Sequence, residues 1–142
     1  MVGYPFDDLK RWRAIYPEDV WIGQMEKVRD GFVKGNVEFA ALVASLDGGK
    51  RRAAERELGL FRAIENHFRS VVDQGRFVRA REKGDRSAMV ACARRELETA
   101  RRHLDLVRAD SRIGYECSHH YFYIPHDIIE KILNCRQIIT GL

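Results

Sequence analysis

The sequence has little of what marks disulfide-rich, membrane-spanning or disordered chains. Its 142 residues include only three cysteines and three prolines, and no stretch approaches the run of about 18 apolar residues that a membrane helix needs. The N-terminus also has no apolar segment of the kind found in secretory signals. The odd number of widely spaced cysteines does not indicate a disulfide framework. We therefore expect a cytoplasmic protein without a membrane span.

The composition is otherwise that of an ordinary globular protein, with 45% hydrophobic residues, 32% charged residues and a mean hydropathy of −0.40. The length predicts a single domain over residues 1–142 and is too short for a catalytic (β/α)₈ barrel, which needs roughly 200 residues or more. The formal net charge is +4. Such a mildly basic chain has only weak attraction for polyanions.

Apolar residues recur at steps of three and four along most of the chain, which is the period of an amphipathic helix. Two clusters of helix breakers, at 47–49 and 83–85, interrupt this pattern. The predicted helices cover 18–46, 50–82, 86–109 and 126–139. Residues 1–17 are expected to form an irregular arm, and residues 110–125 an irregular aromatic loop. The sequence thus predicts an all-α fold, an antiparallel bundle of three long helices plus a shorter C-terminal helix.

The 110–125 loop contains four closely spaced residues of the types that bind zinc or iron: Glu116, Cys117, His119 and His120. Their spacing argues against a metal, because the chain has no C-x-x-C or H-E-x-x-H motif. Its single E-x-x-H motif falls short of a di-iron bundle, which needs one on each of two helices. We expect no metal and no other cofactor. A small metal- or thiol-dependent hydrolase using these four residues remains an alternative.

Two further features have simple structural interpretations. Basic residues cluster between the second and third predicted helices, but acidic residues are spread along the same helices, so a solvated face is expected there rather than a nucleic-acid site. Gly23, Gly31, Gly35, Gly59 and Gly75 lie inside helical patterns, where each glycine costs about 1 kcal/mol relative to alanine. This cost predicts close helix crossings at these positions.

Two stretches carry a more specific signal, DSRIGYE at 110–116 and HYFY at 120–123. Together with YPEDV at 16–20 and EKILNC at 130–135, they resemble the C-terminal helical region of large bacterial glycoside-hydrolase-like proteins. Those proteins have a barrel similar to that of hexosaminidases and α-glucuronidases. This chain has His119 where the family pattern has asparagine.

The resemblance implies a non-catalytic helical accessory or docking module that packs beside a sugar-cleaving barrel. The loop would face the barrel, another protein or a carbohydrate, with a binding surface formed by Arg112, Glu116, His119, His120, Tyr121 and Tyr123. No catalytic residue is expected in this chain, although a longer chain containing the barrel would be a glycoside hydrolase. Asp110 and Glu116 are expected to be structural, with Arg112 paired to a carboxylate.

A third interpretation has no link to carbohydrate. The chain would then be a plain helical-bundle interaction domain, acting as a homodimer. A symmetric apolar patch on the last helix, formed by Ile128, Ile132 and Ile139, would favour this interpretation.

Overall fold

The computed structural model describes residues 8–114 and 123–142, and within these ranges the chain is helical without strands. The elements are α1 (Leu9–Trp12), α2 (Glu18–Ala44), α3 (Gly48–Glu82), α4 (Arg86–Ala109), a 3₁₀ turn (Ser111–Gly114) and α5 (Pro125–Gly141). The predicted all-α bundle of three long helices and a shorter C-terminal helix is confirmed. None of the described helices combines the length and apolarity needed to cross a bilayer.

The helix bounds follow from local capping. The third predicted helix, 86–109, matches α4, and the Asp85 side chain caps it by accepting from the Ala88 amide at 2.9 Å. Helix α2 ends two residues earlier than predicted, where the Ser45 hydroxyl donates to the Leu42 carbonyl at 2.7 Å. Helix α3 begins two residues earlier than predicted, because the Arg51 amide already donates to the Asp47 carbonyl.

The segments predicted to be irregular contain two short helical turns. Asp8 caps the four-residue α1, so the described part of the 1–17 arm is not irregular throughout. The 3₁₀ turn lies within the predicted 110–125 loop. Helix α5 extends beyond the predicted 126–139 because Pro125, with its fixed φ, starts it one residue earlier.

Each long helix packs against its neighbours in sequence: α2 on α3, α3 on α4 and α4 on α5. Between α4 and α5 the core consists of Ala100, Leu104, Val107 and Ile128. Ile132 packs against the same core. Two of the three isoleucines considered for a dimer patch therefore contribute to the interior.

Close helix crossing occurs at Gly75 of α3. A Cβ atom there would lie 3.2 Å from Trp21 Cζ3 and 3.4 Å from Ile22 Cγ1 of α2. The prediction of a close crossing is wrong for Gly23, Gly31, Gly35 and Gly59, since no described atom lies within 4 Å of a Cβ built at any of them. Gly31 and Gly35 are exposed on the wall of a groove that Phe61 of α3 also lines, an orientation of α2 that the spacing of the glycines does not reveal.

Candidate functional site

Polar side chains occupy core positions on α3 and α4. Steps of three and four residues along α4 lead from Ala93 through Glu96 and Ala100 to His103, and all four are buried. The corresponding positions of α3 are Asn66, Ser70 and Asp73, which are also buried. Burying a polar group is costly unless it is hydrogen-bonded, so these residues must satisfy one another or bind something else.

We call these buried polar residues the polar layer: Asn66, Ser70 and Asp73 of α3, with Glu96 and His103 of α4. Glu96 lies at its centre. Its Oε1 accepts a hydrogen bond from the Ser70 hydroxyl at 2.6 Å and lies 2.5 Å from the Lys131 Nζ of α5. Lys131 also donates to Ser70 at 2.9 Å, and Gln74 donates to the same hydroxyl at 2.8 Å. The other carboxylate oxygen, Oε2, is buried and has no partner among the described residues.

Tyr123 joins two histidines at the end of the layer. Its hydroxyl lies 2.5 Å from His67 Nδ1, and its ring meets the His103 ring edge-on at a centroid distance of 4.5 Å. Burial raises the pKa of Tyr123 to about 12, so the phenol keeps its proton at neutral pH. His103 is 5% exposed, and neither of its ring nitrogens has a partner in the described part of the chain.

The two histidines are uncharged at neutral pH. Burial, with smaller contributions from the nearby His67 and Lys131, lowers the pKa of His103 to about 4. Loss of hydration also lowers the pKa of His67, with Lys131 as a second cause. A neutral imidazole offers one N–H donor and one nitrogen acceptor, so His103 presents both kinds of hydrogen-bonding atom.

Glu96 and His103 line the same cavity, which has a volume of about 20 Å³. This is room for a single water molecule. A larger groove of about 570 Å³ runs between α3, α4 and α5 and shares Glu96 and Lys131 with the cavity. Most of its other wall residues are apolar, among them Phe77, Val78, Ala93, Cys135 and Ile138.

The described cysteines do not form a reactive centre. Burial raises the pKa of Cys135 to about 11 and also raises that of Cys92. Both groups are therefore thiols at neutral pH, and the thiol is a much weaker nucleophile than the thiolate. Over residues 8–114 and 123–142, no three His, Cys, Asp or Glu side chains come close enough to hold a metal ion.

Two residues of the predicted binding surface lie in the described part. Arg112 is exposed on the 3₁₀ turn, and its Nε donates to Asp110 Oδ1 at 2.8 Å. The predicted pairing of Arg112 with a carboxylate is thus confirmed, and this hydrogen-bonded pair lowers the pKa of Asp110 to about 2. Tyr123 is turned into the bundle. The other four residues of that surface lie outside the described ranges: Glu116, His119, His120 and Tyr121. Cys117, a candidate only for the metal or thiol site, lies outside them too.

The basic cluster at the end of α3 is engaged in ion pairs with α2. Arg76 pairs with Glu26, and Arg79 lies 3.7 Å from Glu18. These contacts agree with a solvated, charge-paired face. They leave less positive charge for phosphate groups than the sequence alone implies.

The sequence interpretation missed the polar layer itself. Glu96, His103 and Lys131 lie in line with the apolar stripes of the predicted helices. This placement of polar residues is the signal in the sequence that could have revealed the layer. A polar residue on an apolar stripe predicts either a buried network or a site. Comparisons of the chain with profiles of known families, with curated proteins and with solved structures give no significant match.

Proposed function

We propose that the chain is a non-catalytic helical docking module of a cytoplasmic, carbohydrate-active protein, working beside a glycoside-hydrolase-like barrel. The carbohydrate link comes from the resemblance of residues 110–116 and 120–123. The main structural support is that the bundle holds Gly114 and Tyr123, the residues on either side of segment 115–122. The partner is the barrel, in the same chain or in a separate one.

The ends of this segment meet at the bundle. The Tyr123 amide donates to the Gly114 carbonyl at 3.4 Å, and a Cβ on Gly114 would lie only 3.1 Å from the Tyr123 carbonyl oxygen. Tyr123 is in turn held by His67 and His103. Residues on a segment with fixed ends are well placed for recognition, since loops on a rigid scaffold commonly carry binding residues.

The residues of this segment suit a partner surface or a sugar ring. Four of the six proposed contact residues lie within 115–122: Glu116, His119, His120 and Tyr121. Aromatic residues and arginine are enriched in protein interfaces. Arg112 stands beside the segment on the exposed face of the 3₁₀ turn.

A role without catalysis agrees with the protonation states of the described groups. Efficient general acids and bases have pKa values near the working pH. The pKa values of His103, Tyr123 and Cys135 are instead shifted to about 4, 12 and 11. The described thiols therefore give no support to a thiol-dependent hydrolase.

Affinity capture from source cells tests the proposal when the readout is enzymatic. The tag is placed on the chromosomal copy of this sequence, so that a barrel in the same chain or in a separate one is recovered with it under gentle conditions. The bound fraction is assayed with 4-nitrophenyl N-acetylglucosaminide and 4-nitrophenyl α-glucuronide. We expect hydrolysis by the bound fraction and none by the purified chain alone. Failure to recover either activity would contradict the carbohydrate link.

Matched variants locate the surface. Arg112→Ala and Tyr121→Ala should each reduce the captured activity several-fold. Arg94→Ala changes an equally exposed arginine on α4, away from the segment, and should leave it unchanged. Equal capture by all three variants would show that the proposed surface is wrong.

A further inference from the structure

We infer that the groove between α3, α4 and α5, together with the cavity at Glu96 and His103, binds an uncharged amphiphile: a small molecule with an apolar body and a hydroxyl head. This site is separate from the docking surface and does not depend on it. The inference rests on unpartnered atoms of two buried polar side chains, Glu96 Oε2 and the ring nitrogens of His103, in a cavity beside an apolar groove.

The head group is defined by the atoms that need hydrogen bonds. Glu96 is 7% exposed and His103 is 5% exposed, and both line the cavity. Glu96 Oε2 and both ring nitrogens of His103 have no partner in the described part of the chain. Glu96 Oε2 requires a donor, while neutral His103 offers one donor and one acceptor. A hydroxyl both donates and accepts, and it is no larger than the single water molecule for which the cavity has room.

The charges around the cavity favour an uncharged head. Lys131 already lies 2.5 Å from Glu96 Oε1 and neutralises the carboxylate. Asp73, which lines the groove, is likewise paired with Arg95 at 2.7 Å. A cationic head would face Lys131 at close range, and an anionic head would face Glu96. Either charge would also lose its hydration on entering the site.

The body of the ligand is defined by the groove. Its volume of about 570 Å³ lies within the usual range for small-molecule sites, roughly 300–1,000 Å³. Phe77 and Val78 of α3, Ala93 of α4 and Ile138 of α5 line it. Glu96 and Lys131 line both spaces, so the groove adjoins the cavity at these two side chains. The proposed ligand places its hydroxyl at this junction and its chain along the groove.

A series of probes with eight or nine carbons tests the chemistry of the head. Octan-1-ol, octyl methyl ether, octylammonium and octanoate are titrated into the ¹⁵N-labelled chain and followed by amide chemical shifts. We expect the alcohol to bind at least tenfold more tightly than the two ions. The ether accepts but cannot donate, so it should bind at least fivefold more weakly than the alcohol. The shifts should centre on Ala93, Asn134 and Ile138.

Variants on one helix test the place of binding. Asn134 is exposed and lines the groove, so Asn134→Trp fills the groove from its rim without removing packed contacts. It should raise the Kd for octan-1-ol at least tenfold. Gln137→Trp adds the same ring to an exposed position of α5 outside the groove and should change the Kd less than twofold. Glu96→Gln, which keeps one acceptor oxygen in place of two, should reduce the preference for the alcohol over the ether at least twofold.

The inference is overturned if the alcohol and the ether bind equally to the unaltered chain, because the buried acceptor then plays no part. It is also overturned if Asn134→Trp binds octan-1-ol as well as Gln137→Trp does, or if no probe shifts the groove amides. Should Glu96→Gln fail to fold, the probe series and the two tryptophan variants still decide the matter.

Discussion

Glu96 and His103 lie two turns apart on the same face of α4 and line one cavity, yet they differ in how their polar atoms are satisfied. Glu96 is hydrogen-bonded by Ser70 and paired with Lys131 through one oxygen. His103 has aromatic contact with Tyr123 but no hydrogen bond to the described residues. His103 is therefore the residue of the polar layer whose hydrogen-bonding groups are least satisfied, and substitutions at His103 are a suitable test of the layer.

His103 should make the fold sensitive to mild acid. Its pKa is lowered from about 6.5 to about 4 in the folded state. Between these values the unfolded chain binds a proton that the folded chain does not, so stability falls as the pH drops from 7 to 4. The loss from this group alone is about 3 kcal/mol. Urea unfolding at a series of pH values measures it.

The variant His103→Phe is the control for this pH dependence. Phenylalanine keeps the ring against Tyr123 and removes both unpaired nitrogens, so we expect it to be about 1 kcal/mol more stable at pH 7. Its stability should fall less steeply toward pH 4 than that of the unaltered chain. Parallel curves for the two proteins would show that His103 is not held uncharged.

The Glu96–Lys131 pair should stabilise the contact of α4 with α5 more than a surface pair does. The two side chains are 9% and 34% exposed, so we expect a coupling energy of about 1–2 kcal/mol in a cycle of Glu96→Gln and Lys131→Met. The Lys34–Glu38 pair, whose side chains are 82% and 68% exposed, is the control. Its coupling should be about 0.3 kcal/mol. Equal couplings would contradict a buried network.

Two glycines should respond to alanine in opposite ways. Gly35→Ala meets no described atom within 4 Å and should stabilise the chain by about 1 kcal/mol through helix propensity. Gly75→Ala places a methyl group 3.2 Å from Trp21 Cζ3, so the gain is offset by crowding between α2 and α3. We expect Gly75→Ala to be at least about 1 kcal/mol less stable than Gly35→Ala. Similar thermal unfolding of both variants would mean that the crossing is loose.

The described thiols should resist modification. In a Cys117→Ser background only Cys92 and Cys135 remain, and both are buried with raised pKa values. We expect 5,5′-dithiobis(2-nitrobenzoate) to label them at pH 7.4 only after denaturant is added. Rapid labelling of the native variant would instead support a thiol-dependent role for Cys92 or Cys135.

The helices were predictable from the sequence because the spacing of apolar residues and the positions of helix-breaking residues act on local structure. Residues 86–109 matched α4 to the residue, since Asp85 is both a breaker and a cap. The polar layer was not predicted, because it depends on which helix faces lie opposite one another. Nothing in the sequence places Lys131 beside Glu96, which is 35 positions away. The orientation of α2 that leaves Gly35 exposed could not be predicted from residue spacing for the same reason.

If the helical bundle works beside a catalytic barrel, as we propose, its native assembly must be larger than the bundle alone. A gentle extract of source cells is separated by size exclusion, and the fractions are probed with antibody to this chain and assayed for the two aryl glycosides. A barrel of about 250 residues adds about 27 kDa to the 16.5 kDa of the bundle. We predict antibody signal and hydrolysis together at about 44 kDa or above. Antibody signal confined to the mass of a free bundle or its dimer, without hydrolysis, would contradict the proposed association with a barrel.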